Sequence, residues 1–209
     1  GTVSVNPAEV DMAWTIRGHT FRVPIVASAM DGVVDVTFAI EMGRLGGLAV
    51  LNLDGIQTRY EDPAEAIAKI VRGDVEEATN SVQHIYKTPI NEKLIAKRVQ
   101  EIKAAKVPCA VSTIPQNAAR FGAIAQEAGA DLFVVQSTVT TAKHIATAYK
   151  PLDFTAFTKS MKIPVIAGNV VTYEQSVELL ETGVHALLVG VGPGAACTTR
   201  GVLGVGVPQ

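Results

Sequence analysis

Short runs of Val, Ile, Leu and Ala recur along the chain, separated by longer segments with apolar residues every three or four positions. The runs are Val23–Ala27, Leu48–Leu51, Cys109–Ser112, Leu132–Val135, Pro164–Ala167 and Ala186–Val189. They are apolar throughout rather than alternating, the pattern of parallel strands covered on both faces. The intervening spacing predicts helices over Val36–Leu45, Asn91–Ala104, Asn117–Ala128, Asp153–Lys159 and Tyr173–Thr182. Gly46, Gly129 and Gly183 read as helix stops, and Asn117 and Thr172 as N-caps.

Strand-then-helix units repeating every 25 to 35 residues or so predict an α/β fold with a parallel sheet. An open doubly wound sheet announces itself with a Gly-rich fingerprint after its first strand. Here that strand runs into Ala27-Ser28-Ala29-Met30-Asp31, so the expected architecture is the (β/α)8 TIM barrel. A full barrel takes roughly 250 residues. With about six units in view, two strands and their loops are expected to lie outside this sequence, and residues 1–209 to form one catalytic barrel domain. The stretch Asp54–Pro89 is polar and helical in character, with signals at Pro63–Val71 and Asp74–Tyr86, and reads as an excursion before the next helix of the barrel.

Composition narrows the function. Of 209 residues, 48% are apolar and 18% charged, which fits a globular core and excludes a disordered chain. A net charge of −2 carries no basic footprint for nucleic acid. No apolar run is long enough for a bilayer, and two cysteines make no disulfide framework, so a cytoplasmic setting is expected.

Barrel chemistry gathers at the C-terminal ends of strands. There the sequence places Ser28, Asn52, Thr113, Gln136 with Ser137, Asn169 and the loop from Gly190. That loop reads Gly190-Val191-Gly192-Pro193-Gly194-Ala195-Ala196-Cys197-Thr198-Thr199-Arg200. Its N–H groups can cradle a phosphate and its carbonyls can ligate a cation. A thiol beside a cation ionises readily and is a strong nucleophile; packing under a glycine turn is the competing role for Cys197.

This loop, followed by Gly204-Val205-Gly206-Val207-Pro208-Gln209, closely resembles the active-site loop of the IMP dehydrogenase/GMP reductase family. Pro24-Ile25-Val26-Ala27-Ser28-Ala29-Met30-Asp31, Leu45-Gly46-Gly47-Leu48 and Ala167-Gly168-Asn169-Val170-Val171-Thr172 resemble further family stretches in the same order. The resemblance implies that Cys197 attacks C2 of a purine nucleotide and that Thr199 orients the leaving or attacking group. It implies a nucleotide site at Ser28, Met30, Asn169, Gly194 and Ala195, and NAD or NADP(H) near Gln136 and Ser137. It further implies a monovalent cation, such as potassium, on Gly192, Gly194 and Cys197, and a homotetramer.

Three positions depart from the family pattern. Ala195 replaces a phosphate-binding Ser, Gln136 replaces an Asp near the nicotinamide, and Leu188 replaces a basic residue. Together with the absence of CBS domains, they make the chain similar to the IMP dehydrogenase-related branch, to which GMP reductase activity is attributed. The Ser-Ala-Met-Asp motif looks more like the dehydrogenases. The expectation leans to GMP reductase, with IMP dehydrogenase and a non-catalytic purine-nucleotide-binding protein as alternatives. A lyase or epimerase would need a Lys or a carboxylate pair at the strand ends, and the sequence shows none there. Of the remaining candidates, His84, His144 and His185 lack metal-ligand spacing, Cys109 reads as a packing residue, and Arg59-Tyr60 as solvent-facing. Trp14 and Phe21 either cover a barrel end or meet another subunit.

Overall fold

A computed structural model describes residues 4–147, 149–195 and 197–207. Ala196, Pro208 and Gln209 of the cysteine-loop motif lie outside the described residues. Strands β1 (Trp14–Ile16) and β2 (His19–Phe21) form an antiparallel hairpin. There follow β3 (Val26–Ala27), α1 (Val36–Leu45), β4 (Leu48–Asn52), α2 (Pro63–Arg72), α3 (Ala78–Tyr86) and α4 (Glu92–Ala104). The chain continues through β5 (Ala110–Thr113), α5 (Pro115–Glu127), β6 (Leu132–Gln136), α6 (Phe154–Ser160) and β7 (Val165–Val170). It ends with α7 (Tyr173–Glu181), β8 (Ala186–Val189) and the short α8 (Thr199–Leu203).

Strands β3 to β8 form one parallel sheet in sequential order. Sequential order is the barrel's signature, since an open doubly wound sheet reverses at a switch point. The fold is therefore six strands of a (β/α)8 barrel, with β3 and β8 at the edges. Successive residues of each strand face opposite sides. Leu48, Val50, Ala110, Leu132, Val134 and Ile166 line the inside of the curl. Leu51, Val111, Phe133, Val135, Val165 and Ala167 face outward onto Ile95, Val99, Ile102, Phe121 and Phe157 of the helices. Burial on both sides is why the strands read as continuous apolar runs.

The hairpin was not foreseen. Its Phe21 is 2% exposed, stacks on Trp14 with ring centroids 4.4 Å apart, and packs on the interior cluster. Trp14 and Phe21 thus close the barrel's floor. Several expected boundaries move by one to four residues, two of them for a plain reason. Strand Val23–Ala27 shrinks to Val26–Ala27, because Pro24 has no N–H to give a ladder. Asn117 is not an N-cap: Pro115 opens α5 one turn position earlier, where its fixed φ suits a helix start, and Asn117 turns its amide to Asp54. Thr172 does cap α7, accepting from Gln175 N at 3.2 Å. Gly46 ends α1 at φ 92°, a left-handed conformation that glycine adopts without strain.

Arg98 of α4 fastens the 54–89 excursion. It is 6% exposed and donates to the carbonyls of Gln57, Tyr60 and Glu61 at 2.8–3.0 Å, while pairing with Glu101. Arg59 and Tyr60 do not face solvent. Arg59 donates to the carbonyls of Asp54, Tyr86 and Thr88, and Tyr60 Oη donates to Ile85 O at 2.9 Å. The last turn of α3 leaves carbonyls without helical partners, and these two side chains satisfy them.

Candidate active site

Parallel strands put all their C-terminal ends on one side, and the predicted site residues lie there. They divide by what they already hold. Asn52 Oδ1 accepts from Asp54 N at 3.0 Å, and Thr113 Oγ1 donates to Asp54 Oδ2 at 2.7 Å. Asp54 also accepts from Ile114 N and Asn117 Nδ2 at 2.8 and 2.7 Å. Asn52 and Thr113 therefore brace the rim through Asp54, a residue the sequence reading missed although it stands two positions past a strand end. Ser137 Oγ donates to Val139 O at 2.7 Å and lies 2.9 Å from Thr140 Oγ1, so its hydroxyl shapes its own loop.

A second set supports the cysteine loop. Ser137 N donates to Gly168 O and Asn169 N to Ser137 O, at 2.9 and 3.0 Å. Asn169 Nδ2 then donates to Gly190 O at 2.8 Å, tying the ends of β6, β7 and β8 in series. Beyond Gly190 the chain leaves and returns, and Val191 and Val207 close the loop at its base with two backbone hydrogen bonds of 2.9 and 2.7 Å. Gly190 and Gly192 have φ of 101° and 58°, which lets the chain turn sharply out of the strand.

Within this loop Cys197 Sγ lies 3.2 Å from Thr199 Oγ1. The side chain and backbone N–H of Thr199 stabilise the thiolate, and the Arg200 charge adds to them, so the thiol ionises below its ordinary range. Cys109 is the opposite case. It is 1% exposed, and burial pushes its thiol up to about 12, with the Asp131 charge acting in the same direction. The packing role belongs to Cys109, a member of the main core, and Cys197 is part-exposed. Alkylation by iodoacetamide in the native state should therefore label Cys197 alone. Its rate should level off at a lower pH than that of a free cysteine, and Thr199→Val should shift that profile upward. Peptide mapping against pH checks both, and labelling of Cys109 at a comparable rate would contradict the assignment.

Other expected ligand residues stand free. Gln136 is in phase with the inward-facing Leu132 and Val134, and its amide makes no hydrogen bond among the described residues. Ser28 and Met30 are exposed on the loop after β3, at the far edge of the sheet, and among the described residues no hydrogen bond joins them to the cysteine loop. Ala195 is exposed. The cation site implied by the resemblance does not fit this arrangement. The Gly194 carbonyl already accepts from Cys197 N and from Arg200 Nη2, both at 3.2 Å, and the guanidinium itself brings the positive charge. His185 is structural: it lies at the barrel floor, and its Nδ1 accepts from Val165 N at 3.0 Å. Beside Ser137, a small cavity of about 80 Å³ is lined by Gln116, Thr140, His144 and Tyr149 among others.

Fold and loop together define a parallel-barrel protein that carries an easily ionised thiol at the C-terminal rim of its strands. The whole chain, residues 1–209, matches the family described as IMP dehydrogenase / GMP reductase domain. The chain belongs to that family. It is 36% identical to an uncharacterized oxidoreductase of Mycolicibacterium smegmatis over 96% of this chain and 55% of that protein. It is 30% identical to the inosine-5'-monophosphate dehydrogenase of Cryptosporidium parvum, over 98% of this chain and 52% of that one. The crystal structure of an IMP dehydrogenase/GMP reductase-like protein from Corynebacterium glutamicum superposes with a TM-score of 0.87 at 33% identity, covering 96% of this chain and 53% of that one. The chain thus spans about half the length of the relatives it matches.

Proposed function

We propose that the protein is an oxidoreductase acting at C2 of a purine nucleoside 5′-monophosphate, with Cys197 as nucleophile and NAD(P)(H) as hydride partner. The Cys197–Thr199 pair carries this reading: a part-exposed thiol, easily ionised, with a hydroxyl 3.2 Å away. Ser28, Met30, Asn169 and the backbone of Gly194 and Ala195 hold the nucleotide. With no hydroxyl at Ala195, main-chain N–H groups of the glycine loop take the phosphate. The free Gln136 amide, with both donors and an acceptor, is complementary to a nicotinamide carboxamide. Ser137 contributes by holding the loop beside it.

The reductive direction is our first reading, because the pair can supply the proton that amine expulsion needs. Cys197 Sγ adds to C2 of GMP and gives its proton to Thr199. The Thr199 hydroxyl passes a proton to the 2-amino group, and the C2–N bond breaks with its electron pair leaving as ammonia. The balance is one thiol and one GMP giving an S-bound purine and ammonia. The dinucleotide, when bound, supplies the hydride that C2 requires. Expulsion of the Cys197 thiolate then frees IMP. The second reading is IMP dehydrogenation, favoured by the relative named inosine-5'-monophosphate dehydrogenase. There hydride leaves C2 and water hydrolyses the S-bound purine.

Steady-state assays of the full-length protein separate these readings. We expect NADPH-dependent release of ammonia from GMP. Turnover only with IMP and NAD would establish the dehydrogenase instead. Nucleotide binding without turnover in either direction, and without need of Cys197, would leave a binding protein and overturn the enzymatic reading.

A further inference from the structure

The loop after β3 offers Ser28 and Met30 to the nucleotide, yet neither side chain makes a hydrogen bond among the described residues. Met30 is 54% exposed, and the Ser28 hydroxyl has no partner among the described residues. The backbone makes a tight turn of its own, with Met30 N donating to Ser28 O and Val34 N to Met30 O at 2.8 and 2.9 Å. Val34 anchors the far end of this turn in the core, and among the described residues the side chain that hydrogen-bonds the turn to another element is Asp31. Its Oδ2 accepts from Ile56 N at 2.9 Å and from the hydroxyl of Tyr86, at the end of α3.

The excursion is shaped around that carboxylate. A Cβ on Gly55 would stand 1.9 Å from Asp31 Oδ1, so only glycine leaves the carboxylate room. Tyr86 is itself set in place, because the Arg59 guanidinium lies over its ring at 5.4 Å and binds its carbonyl at 3.0 Å. Burial and the Asp31 charge both push the Tyr86 hydroxyl up, so it stays protonated and can only donate to the carboxylate. The arrangement is poor as pure stabilisation, since Asp31 Oδ1 is buried and has no partner among the described residues. A buried carboxylate oxygen left unsatisfied costs free energy.

We infer that Tyr86, with Gly55 and Ile56, is a positioning residue: through Asp31 it fixes the turn that presents Ser28 and Met30 to the purine nucleotide. This rests on the function proposed above. The excursion, remote from Cys197 in sequence, thereby sets nucleotide affinity rather than the chemical step. Holding a loop in its bound shape lowers the ordering cost of binding.

The test uses the full-length protein and Tyr86→Phe, which keeps the ring and removes the hydroxyl. Losing a hydrogen bond to a charged acceptor should raise the nucleotide KM about tenfold, with kcat within about twofold. The nucleotide concentration that protects Cys197 from alkylation should rise by the same factor. Gly55→Ala, which displaces the carboxylate by another route, should show the same split. A merely structural link would lower the active fraction, and so kcat, at constant KM. Unchanged KM and protection in both variants, or a fall in kcat alone, would overturn the inference. If the unmodified protein neither turns over a purine nucleotide nor is protected by one, the proposed function itself falls, and this inference with it.

Discussion

Replacing Cys197 by Ala should cut turnover by roughly 10⁴-fold or more while leaving nucleotide affinity within a few-fold. The size follows from the chemistry. In the proposed reaction, removing the sulfur removes the covalent bond to C2, and neither amine nor hydride would leave an aromatic ring by a comparable route. The other thiol cannot substitute. Cys109 is buried immediately before β5, and burial pushes its thiol up to about 12. Cys197→Ser should be almost as inactive, because a hydroxyl at that position stays protonated at neutral pH. Steady-state rates, paired with intact-mass detection of the nucleotide adduct, check the expectation. Residual activity above a hundredth of the unmodified protein's would remove Cys197 from the nucleophile's role.

The second large effect concerns stability. Arg98→Met keeps the aliphatic length of the side chain and removes every donor it carries. The carbonyls of Gln57, Tyr60 and Glu61 would lose their partner, and Glu101 its counter-charge. Burying acceptors without donors is costly, so we expect a loss of about 3 kcal/mol in unfolding free energy. Local opening should exceed global opening, because Ala66 of α2 and Ile85 of α3 meet Ile56 in a small satellite core apart from the main one. Denaturant titration measures the first effect, and limited proteolysis mapped to residues 60–90 the second. A loss below about 0.5 kcal/mol, the size of an ordinary surface change, would show that the guanidinium is dispensable.

The barrel was readable because its strands are buried on both sides and its helices carry capping signals beside them. Leu132–Val135 and Val36–Leu45 illustrate each case. What escaped has a common cause: it depends on residues far apart in sequence or on elements too short to leave a period. The floor hairpin has strands of three residues each, and its turn pairs Gly18 at φ 86° with Arg17 at a left-handed φ of 47°, where Asn or Asp would have completed the visible signal. The Arg98–Gln57 and Tyr86–Asp31 links span 41 and 55 positions, and nothing local announces them. At the site the cysteine loop was legible because closely spaced glycines and a thiol share one segment. The hydrogen bonds by which Ser137 and Asn169 brace the strand ends were not, since a polar residue there looks the same in sequence with or without them. Asn117 misled for a related reason, being a good capping residue used for a longer-range bond.

Arg59 and Arg98 hold the segment between β4 and α4 by main-chain oxygens: those of Asp54, Gln57, Tyr60, Glu61, Tyr86 and Thr88. Such oxygens are the same whatever amino acid bears them. Descendants of this protein can therefore rewrite nearly every outward side chain between Pro63 and Ser81, or splice new material near Gly73, without loosening the two arginine clasps. Evolutionary novelty in this lineage has a ready berth there, on a stretch whose anchorage is blind to its lettering.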